Sequence, residues 1–374
     1  SSNTYSITAV SCATSYTWTL PGGWTGTSTT NSITTTASGA SGNITVTASN
    51  SCGTSATQTL AVTVNVSTPS CCLASTMTIP DGATSSGIGT IPVGSVVDVL
   101  GLFTINSNLT LSGCTLRMAP NAKIDVLSGN TFILFNSKVF SCTDMWQGIY
   151  SNPGANVVMI LSRVEDAVNG VYSIGGGAYD LYLTTFNKNN VSIFVDNYTT
   201  THPGIVRRCN FDCTATGSPT SGNTLKNPMA GEKSHFGIYC KNNTDITFGV
   251  PSSTANNFQN LEIGIYALGS NLKVYKNNFS NIVQPFCVAI YPATCTPIGW
   301  PIWVQDCDML VVDPSGLSHE NNFTNCSNGI FIDGKSTFDI EKNNFSNIVT
   351  TGFPGNFIYS KCIYARNNVI GSAV

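Results

Sequence analysis

An all-β fold is predicted for this chain: a small β-sandwich followed by a right-handed parallel β-helix. Two patterns predict it. The first is a recurring Asn-Asn-Phe whose aromatic falls at Phe258, Phe279, Phe323 and Phe345, at intervals of 21, 44 and 22 residues. Gly-Ile-Tyr or Gly-Ile-Phe trails several copies, as at Gly264-Ile265-Tyr266 and Gly329-Ile330-Phe331. So short a period marks a solenoid, because one turn cannot bury its own apolar face and must stack on its neighbours. The second pattern is a set of alternating strands, spaced near ten residues, over the first sixty-odd positions.

The solenoid register extends outward from those four copies. Phe211 lies 47 residues before Phe258 and Phe186 lies 25 before Phe211, with Val164, Val139 and Leu116 continuing at 22, 25 and 23. Val369, in Asn367-Asn368-Val369, is expected to close the series 24 residues after Phe345. The 44-residue interval from Phe279 to Phe323 reads as two turns. Short β-branched and aromatic runs surround the anchors, such as Val157-Val158-Met159-Ile160-Leu161 and Val191-Ser192-Ile193-Phe194-Val195, with Asn, Gly, Ser and Asp between them. These are strands with turn residues, and no stretch holds a helical period. The Asn pairs are read as structural, since Asn tolerates left-handed turns and its amide can bond to the next turn's Asn. The sequons at Asn278-Phe279-Ser280 and Asn344-Phe345-Ser346 follow from composition.

Residues 1–66 form the sandwich, with strands around 5–10, 16–20, 32–34, 43–48 and 57–64 and a buried Trp. Cys12 follows its first strand and Cys52 its fourth, so a Cys12–Cys52 bridge is expected if those strands run the same way. A linker at 67–75 precedes the β-helix of 76–374, which carries irregular loops near 214–233 and 284–317.

Tyr16-Thr17-Trp18-Thr19-Leu20-Pro21-Gly22-Gly23-Trp24, followed by Asn50-Ser51-Cys52-Gly53-Thr54-Ser55, resembles the PKD-like immunoglobulin-type modules of secreted Bacteroidetes proteins. Cys12 departs from that pattern, which has Gly there. Met145-Trp146-Gln147-Gly148-Ile149-Tyr150 and Glu165-Asp166-Ala167-Val168-Asn169-Gly170-Val171-Tyr172 resemble the right-handed β-helices that accompany such modules in type IX secretion substrates. The resemblance implies a Gram-negative, extracellular or cell-surface protein. It implies no reaction.

Composition points the same way. Charged residues are 9% of the chain, against roughly a quarter in an ordinary soluble domain. A net charge of −3 argues against nucleic acid, and no apolar run spans a membrane, so membrane insertion is not expected. Neither is a signal peptide present; both ends stop mid-pattern, so a trimmed piece of a longer protein is expected. Fourteen cysteines suit an oxidising compartment. Cys71-Cys72 are expected to pin the sandwich to the first coils, each pairing elsewhere. A metal at Cys209 and Cys213 is disfavoured, because His202 belongs to no second ligand pair. No cofactor is called for, and nothing in the spacing supports a structural calcium.

Parallel β-helices often carry enzymes acting on acidic polysaccharides. A lyase needs a basic side chain beside acidifying groups, and an inverting hydrolase two carboxyls roughly 6.5–9.5 Å apart. The candidates are Asp306, Asp308, Asp313 and Asp333, with Arg207-Arg208 and Lys273 elsewhere. Asp333 reads as a turn and no base accompanies the aspartates. Asn243-Thr244-Asp245 matches one polygalacturonase element, but its companions are missing. Binding is favoured instead. Tyr291-Pro292 and Gly299-Trp300-Pro301-Ile302-Trp303 lie in the second irregular stretch, where Tyr291, Trp300 and Trp303 could stack on sugar rings. The alternative for both Trp is cover for a coil edge, while Trp146 reads as packing. The expected function is a structural or adhesive surface protein, a rigid rod offering faces to glycans, cells or copies of itself. A polysaccharide lyase or glycoside hydrolase is the alternative.

Overall fold

The computed structural model describes residues 2–36, 41–62, 74–197, 204–218, 222–243, 246–250, 254–283, 299–307, 310–312, 320–334, 336–341, 343–348, 362–366 and 370–373. The chain divides into two compact units, Ser1–Ser67 and Thr68–Val374.

In the first unit, Ser2–Ser6 pairs antiparallel with Ser32–Thr36. Gly42–Asn50 centres a second sheet, flanked by Ser15–Thr19, Gly53–Thr54 and Gln58–Val62. Alternation along the central strand turns Ile44, Val46 and Ala48 inward. The Tyr16 hydroxyl reaches back to accept from the Val10 N–H at 2.8 Å. The buried tryptophan is Trp24; Trp18 is half-buried and donates its indole N–H to the Thr30 carbonyl at 2.9 Å. The expected Cys12–Cys52 disulfide is not formed, and both stand as exposed free thiols. A side-chain amide does the tying instead. Asn50 Nδ2 donates to the Cys12 carbonyl at 3.1 Å, and its Oδ1 accepts from the Cys52 N–H at 2.9 Å. Cys12 itself sits at φ 63°, left-handed geometry that favours glycine.

The second unit is a parallel β-solenoid. From Val96–Val99 onward the strands cycle through three sheets in strict rotation. The first sheet has eleven strands from Met77–Ile79 to Asn344–Ser346, and the second eleven from Ala83–Thr84 to Ile363–Ala365. The third has two five-stranded parts, Leu109–Ser112 to Gly204–Arg207 and Ile246–Phe248 to Ile370–Ala373. Leu116, Val139, Val164, Phe186, Phe211, Phe258, Phe279, Phe323 and Phe345 are consecutive register partners in the first sheet. Phe279 therefore pairs directly with Phe323, as Phe211 does with Phe258, so the 44-residue interval is one turn and not two. Most of the surplus lies between first- and second-sheet strands and a smaller part between third- and first-sheet strands, where an insertion does not disturb the pairing on either side. Val369 lies outside the described residues, as do Cys71 and Cys72.

Three side-chain stacks explain the repeat. The rings of Phe186, Phe211, Phe258, Phe279, Phe323 and Phe345 stack in succession at centroid distances of 5.4, 4.4, 4.9, 5.0 and 4.6 Å. The first Asn of each motif points inward. Asn256 Nδ2 donates to Asn277 Oδ1 at 2.9 Å, Asn277 to Asn321 at 3.1 Å, and Asn321 to Asn343 at 3.0 Å. The second Asn points outward and repeats the ladder through Asn210, Asn257, Asn278, Asn322 and Asn344 at 2.8–3.0 Å. Both sequon asparagines are held in it. The trailing Gly is a packing requirement, since a Cβ on Gly264 would meet the Pro301 carbonyl at 2.4 Å and the Phe279 ring at 2.9 Å. At the corners a residue with positive φ turns the chain, for example Asp166, Lys188, Asn260, Asn281, Asn325 and Asn347 after first-sheet strands. Eight asparagines among the described residues hold such a φ.

Most of the described cysteines serve packing and not cross-linking. Among the described residues Cys142 is disulfide-bonded, while Cys114, Cys209, Cys213, Cys240, Cys307 and Cys326 are buried thiols outside any disulfide. Cys114 and Cys209 occupy inward corner positions that Ser137, Ser162 and Asn256 fill in other turns. Burial pushes Cys209 up to about 12 and Cys326 up to about 11. An acid raised on folding keeps its proton in the fold after the unfolded chain has lost its own. These groups therefore withdraw stability as pH climbs from the ordinary thiol value toward about 12. Iodoacetamide at mildly alkaline pH is expected to label Cys12, Cys52 and Cys362 in the native protein and to spare the six buried thiols. Mass-spectrometric mapping checks it; native labelling of Cys209 or Cys240 would contradict this packing.

Candidate binding surface

The second sheet carries a longer pattern than Gly-Ile-Tyr. Ile149, Val171, Ile193, Ile238, Ile265, Ile302 and Ile330 are fully buried at one register position. The next residue in each turn lies on the other face of the strand and is aromatic: Tyr150, Tyr172, Phe194, Tyr239, Tyr266 and Trp303 are half-buried, Phe331 is buried, and Tyr364 extends the row. Successive centroids are 4.6–5.4 Å apart.

Ring orientation decides what this strip can touch. Tyr172, Phe194 and Tyr239 lie within 7° and 4° of parallel, so each covers its neighbour's face and only edges look outward. The stacking breaks at the Tyr150 end and again beyond Tyr239, where Tyr266 is turned 34° from Tyr239. Tyr150 is turned 60° from Tyr172, and the Lys123 ammonium caps its ring at 4.0 Å. Trp303 is turned 59° from Tyr266 and 33° from Phe331, so these neighbours do not cover its faces fully. Polar groups flank the strip: Tyr172 donates to Asp196 at 3.3 Å and Tyr266 to Gln305 at 3.2 Å. Burial raises Tyr150, Tyr172 and Tyr239 and pushes Tyr266 up to about 12, which keeps their hydroxyls neutral donors.

Of the expected binding residues, Trp303 belongs to this strip. Neither Trp is in a loop, since both lie on the strand Trp300–Gln305 within the supposed irregular stretch. Trp300 is buried beside the row, 5.0 Å from Phe331 and 6.4 Å from Tyr364. Tyr291 lies outside the described residues. Trp146 is fully buried and donates its indole N–H to the Glu165 carbonyl at 2.7 Å.

Among the described enzymatic candidates Asp306 and Asp333 are neighbours on adjacent turns, the Asp306 N–H donating to the Asp333 carbonyl at 3.1 Å, while Arg207 and Arg208 lie elsewhere. Asp306 sits at a corner with φ 52°, its carboxylate over Gly334. Asp333 ends a strand, not a turn, and has a base after all: Arg366 Nη2 lies 2.7 Å from its Oδ2. Arg207 pairs with Asp180 at 3.3 Å and Arg208 donates to the Tyr182 hydroxyl at 3.0 Å, both on the third-sheet side. Asn243 is buried, donating to the Val195 and Lys241 carbonyls at 3.0 and 2.9 Å, as a corner residue does. Asp308, Asp313, Thr244 and Asp245 lie outside the described residues. The Cys209 thiol donates to the Leu181 and Arg207 carbonyls and the Cys213 thiol to that of Asn223, so each has its own interior partners.

Sequence reasoning passed over one cluster. Glu165, Asp166 and Lys188 are completely buried at one corner of two successive turns. Lys188 Nζ lies 3.9 Å from Glu165 Oε2 and 3.8 Å from Asp166 Oδ1, and Lys226 Nζ reaches in to 3.0 Å from Asp166 Oδ2. Arg163 and Asn187 bond to Glu165 Oε1, and Ser218 donates to its Oε2 at 2.5 Å. Burial raises Asp166 and lowers Lys226. The available signal was the 22-residue step from Asp166 to Lys188, one turn in length.

Comparison with known proteins matches residues 1–62 to the PKD-like domain. The first unit is a PKD-like domain. The β-solenoid follows it. No curated protein matches the chain. Among solved structures, the chain is similar to the catalytic domain of a GH87 alpha-1,3-glucanase variant in complex with tetrasaccharides, at 10% identity and a TM-score of 0.27, covering 91% of this chain and 76% of that one. It is also similar to a Family 28 exopolygalacturonase of Yersinia enterocolitica, at 11% identity and a TM-score of 0.19, covering 89% of this chain and 86% of that one.

Proposed function

We propose that this is an extracellular structural and adhesive protein, in which the PKD-like domain is a spacer and the solenoid presents the second-sheet strip to a glycan. The break in ring stacking at Tyr266 and Trp303 carries this reading. A sugar's apolar face needs an aromatic face, which the parallel part of the row does not offer. Neutral Tyr hydroxyls and the Gln305 side chain supply hydrogen-bonding groups beside it. Low charge and the likeness to type IX secretion substrates support placement at the cell surface. Self-association along the same face is part of the reading.

The test is retention on a panel of neutral and acidic polysaccharides, with release of new chain ends scored in parallel. Trp303→Ala is expected to weaken retention at least tenfold, a loss of roughly 1.4 kcal/mol, while Phe194→Leu within the closed stack changes it little. Equal retention by both variants would refute the strip's role. New chain ends would favour the hydrolase or lyase reading and direct attention to Asp333 and Arg366.

A further inference from the structure

The buried corner cluster is an expensive arrangement for a binding scaffold. Even paired, buried charges are often no more stabilising than well-packed apolar side chains of similar volume. The geometry fits a chemical use. We propose that Lys188 and Asp166 become joined by an intramolecular isopeptide bond, which welds two successive turns of the solenoid covalently.

Three observations carry it. Asp166 and Lys188 are equivalent corner residues of adjacent turns, at φ 60° and 53°, and the Asp166 N–H donates to the Asn187 carbonyl at 3.4 Å, so the backbone holds them in register. The Lys188 amine lies between the two carboxyls, at 3.8 and 3.9 Å, with all three side chains at most 1% exposed. Lys226 holds the far oxygen, Asp166 Oδ2, at 3.0 Å. An amine, an electrophile, a base and an oxyanion donor are thus assembled away from water.

The step balances without a co-reactant. Burial favours Asp166 as the neutral acid, and a proton passed from the Lys188 ammonium to its carboxylate gives the reactive amine–acid couple. Nζ attacks Cγ, and Glu165 takes a proton from the attacking amine. Negative charge develops on Oδ2, against the Lys226 ammonium. Glu165 then returns the proton to the Oδ1 hydroxyl, which leaves as water, and the carbonyl re-forms at Oδ2. One amine and one carboxylic acid become one amide and one water. Fixed proximity raises the effective concentration of the reactants, as in other intramolecular reactions. Glu165 is itself oriented by Arg163, Asn187 and Ser218.

The experiment is the intact mass of the purified full chain after reduction and alkylation, followed by peptide mapping. The expected mass is one water below that of the sequence, with a branched peptide containing both Asp166 and Lys188. Lys188→Arg and Glu165→Gln are expected to restore the full mass. The wild-type measurement stands even if a variant fails to fold. A wild-type mass equal to that of the sequence overturns the proposal. So does a water loss mapped to a single residue, as an aspartyl succinimide would give, or to Lys226.

Discussion

Phe279→Ala is expected to lower the stability of the solenoid unit by about 3–5 kcal/mol, the usual cost of emptying a buried aromatic site. The ring is 1% exposed, stacks on Phe258 and Phe323 at 4.9 and 5.0 Å, and underlies Gly264. Collapse to fill the space is blocked because neighbouring strands are fixed by their own pairing on both sides. Phe345 is only partly buried, so Phe345→Ala is expected to cost less. Because each turn contacts only its neighbours, the loss concentrates in the turns flanking residue 279. Urea unfolding gives the magnitude, and hydrogen exchange of strands Asn256–Gln259 and Asn322–Thr324 gives the location. Equal destabilisation by the two substitutions would contradict the stacked core.

The second large effect belongs to a polar residue. Asn277→Ala removes the acceptor of Asn256 Nδ2 and the donor to the Tyr275 carbonyl, both at 2.9 Å, and the link to Asn321 at 3.1 Å. The site is fully buried, and each orphaned group costs about 1–3 kcal/mol. Asn278→Ala, one residue on, cuts the outer ladder, where water replaces the lost partner; about 0.5 kcal/mol or less is expected. Urea midpoints of the two variants compare them directly. If Asn278→Ala proved the more damaging, the inward assignment of the first Asn would be wrong.

These paired outcomes mark where sequence and structure divide the work. A strand's side chains alternate, so Asn-Asn-Phe could be read as an apolar anchor beside turn-forming amides. Alternation puts the first Asn on the Phe side of the strand, but its bond to the next turn's Asn exists only in the stacked coil. The trailing Gly was visible as a repeat, but its reason, an adjacent Phe ring and a neighbouring carbonyl, exists only between turns. The aromatic row was half visible in Gly-Ile-Tyr and Gly-Ile-Phe. Tyr150 and Tyr239 also stand in Gly-Ile-Tyr, whereas Tyr172, Phe194 and Trp303 joined the row only once parallel pairing set them in line. The loop placement of Trp300 and Trp303 failed because Pro301 and Gly299 suggested irregularity inside what is a regular strand. Cysteine spacing did not show which thiols pack inward, because a buried thiol fills an inward corner position as well as Ser does.

By itself, the sequence determined the PKD-like domain, the solenoid, its period and the register of the first-sheet anchors from Leu116 to Phe345. Apolar spacing is local information, and stacking makes it additive from turn to turn. The tertiary structure alone decided that 44 and 47 residues make single turns, because an insertion at a corner costs only slowly growing loop entropy and leaves no mark on strand pattern. It alone also gathered Glu165, Asp166, Lys188 and Lys226, residues up to 61 positions apart (165 to 226), into one largely buried site. Their proximity arises from coil closure and from a loop folding back, and neither is written in any single stretch of chain.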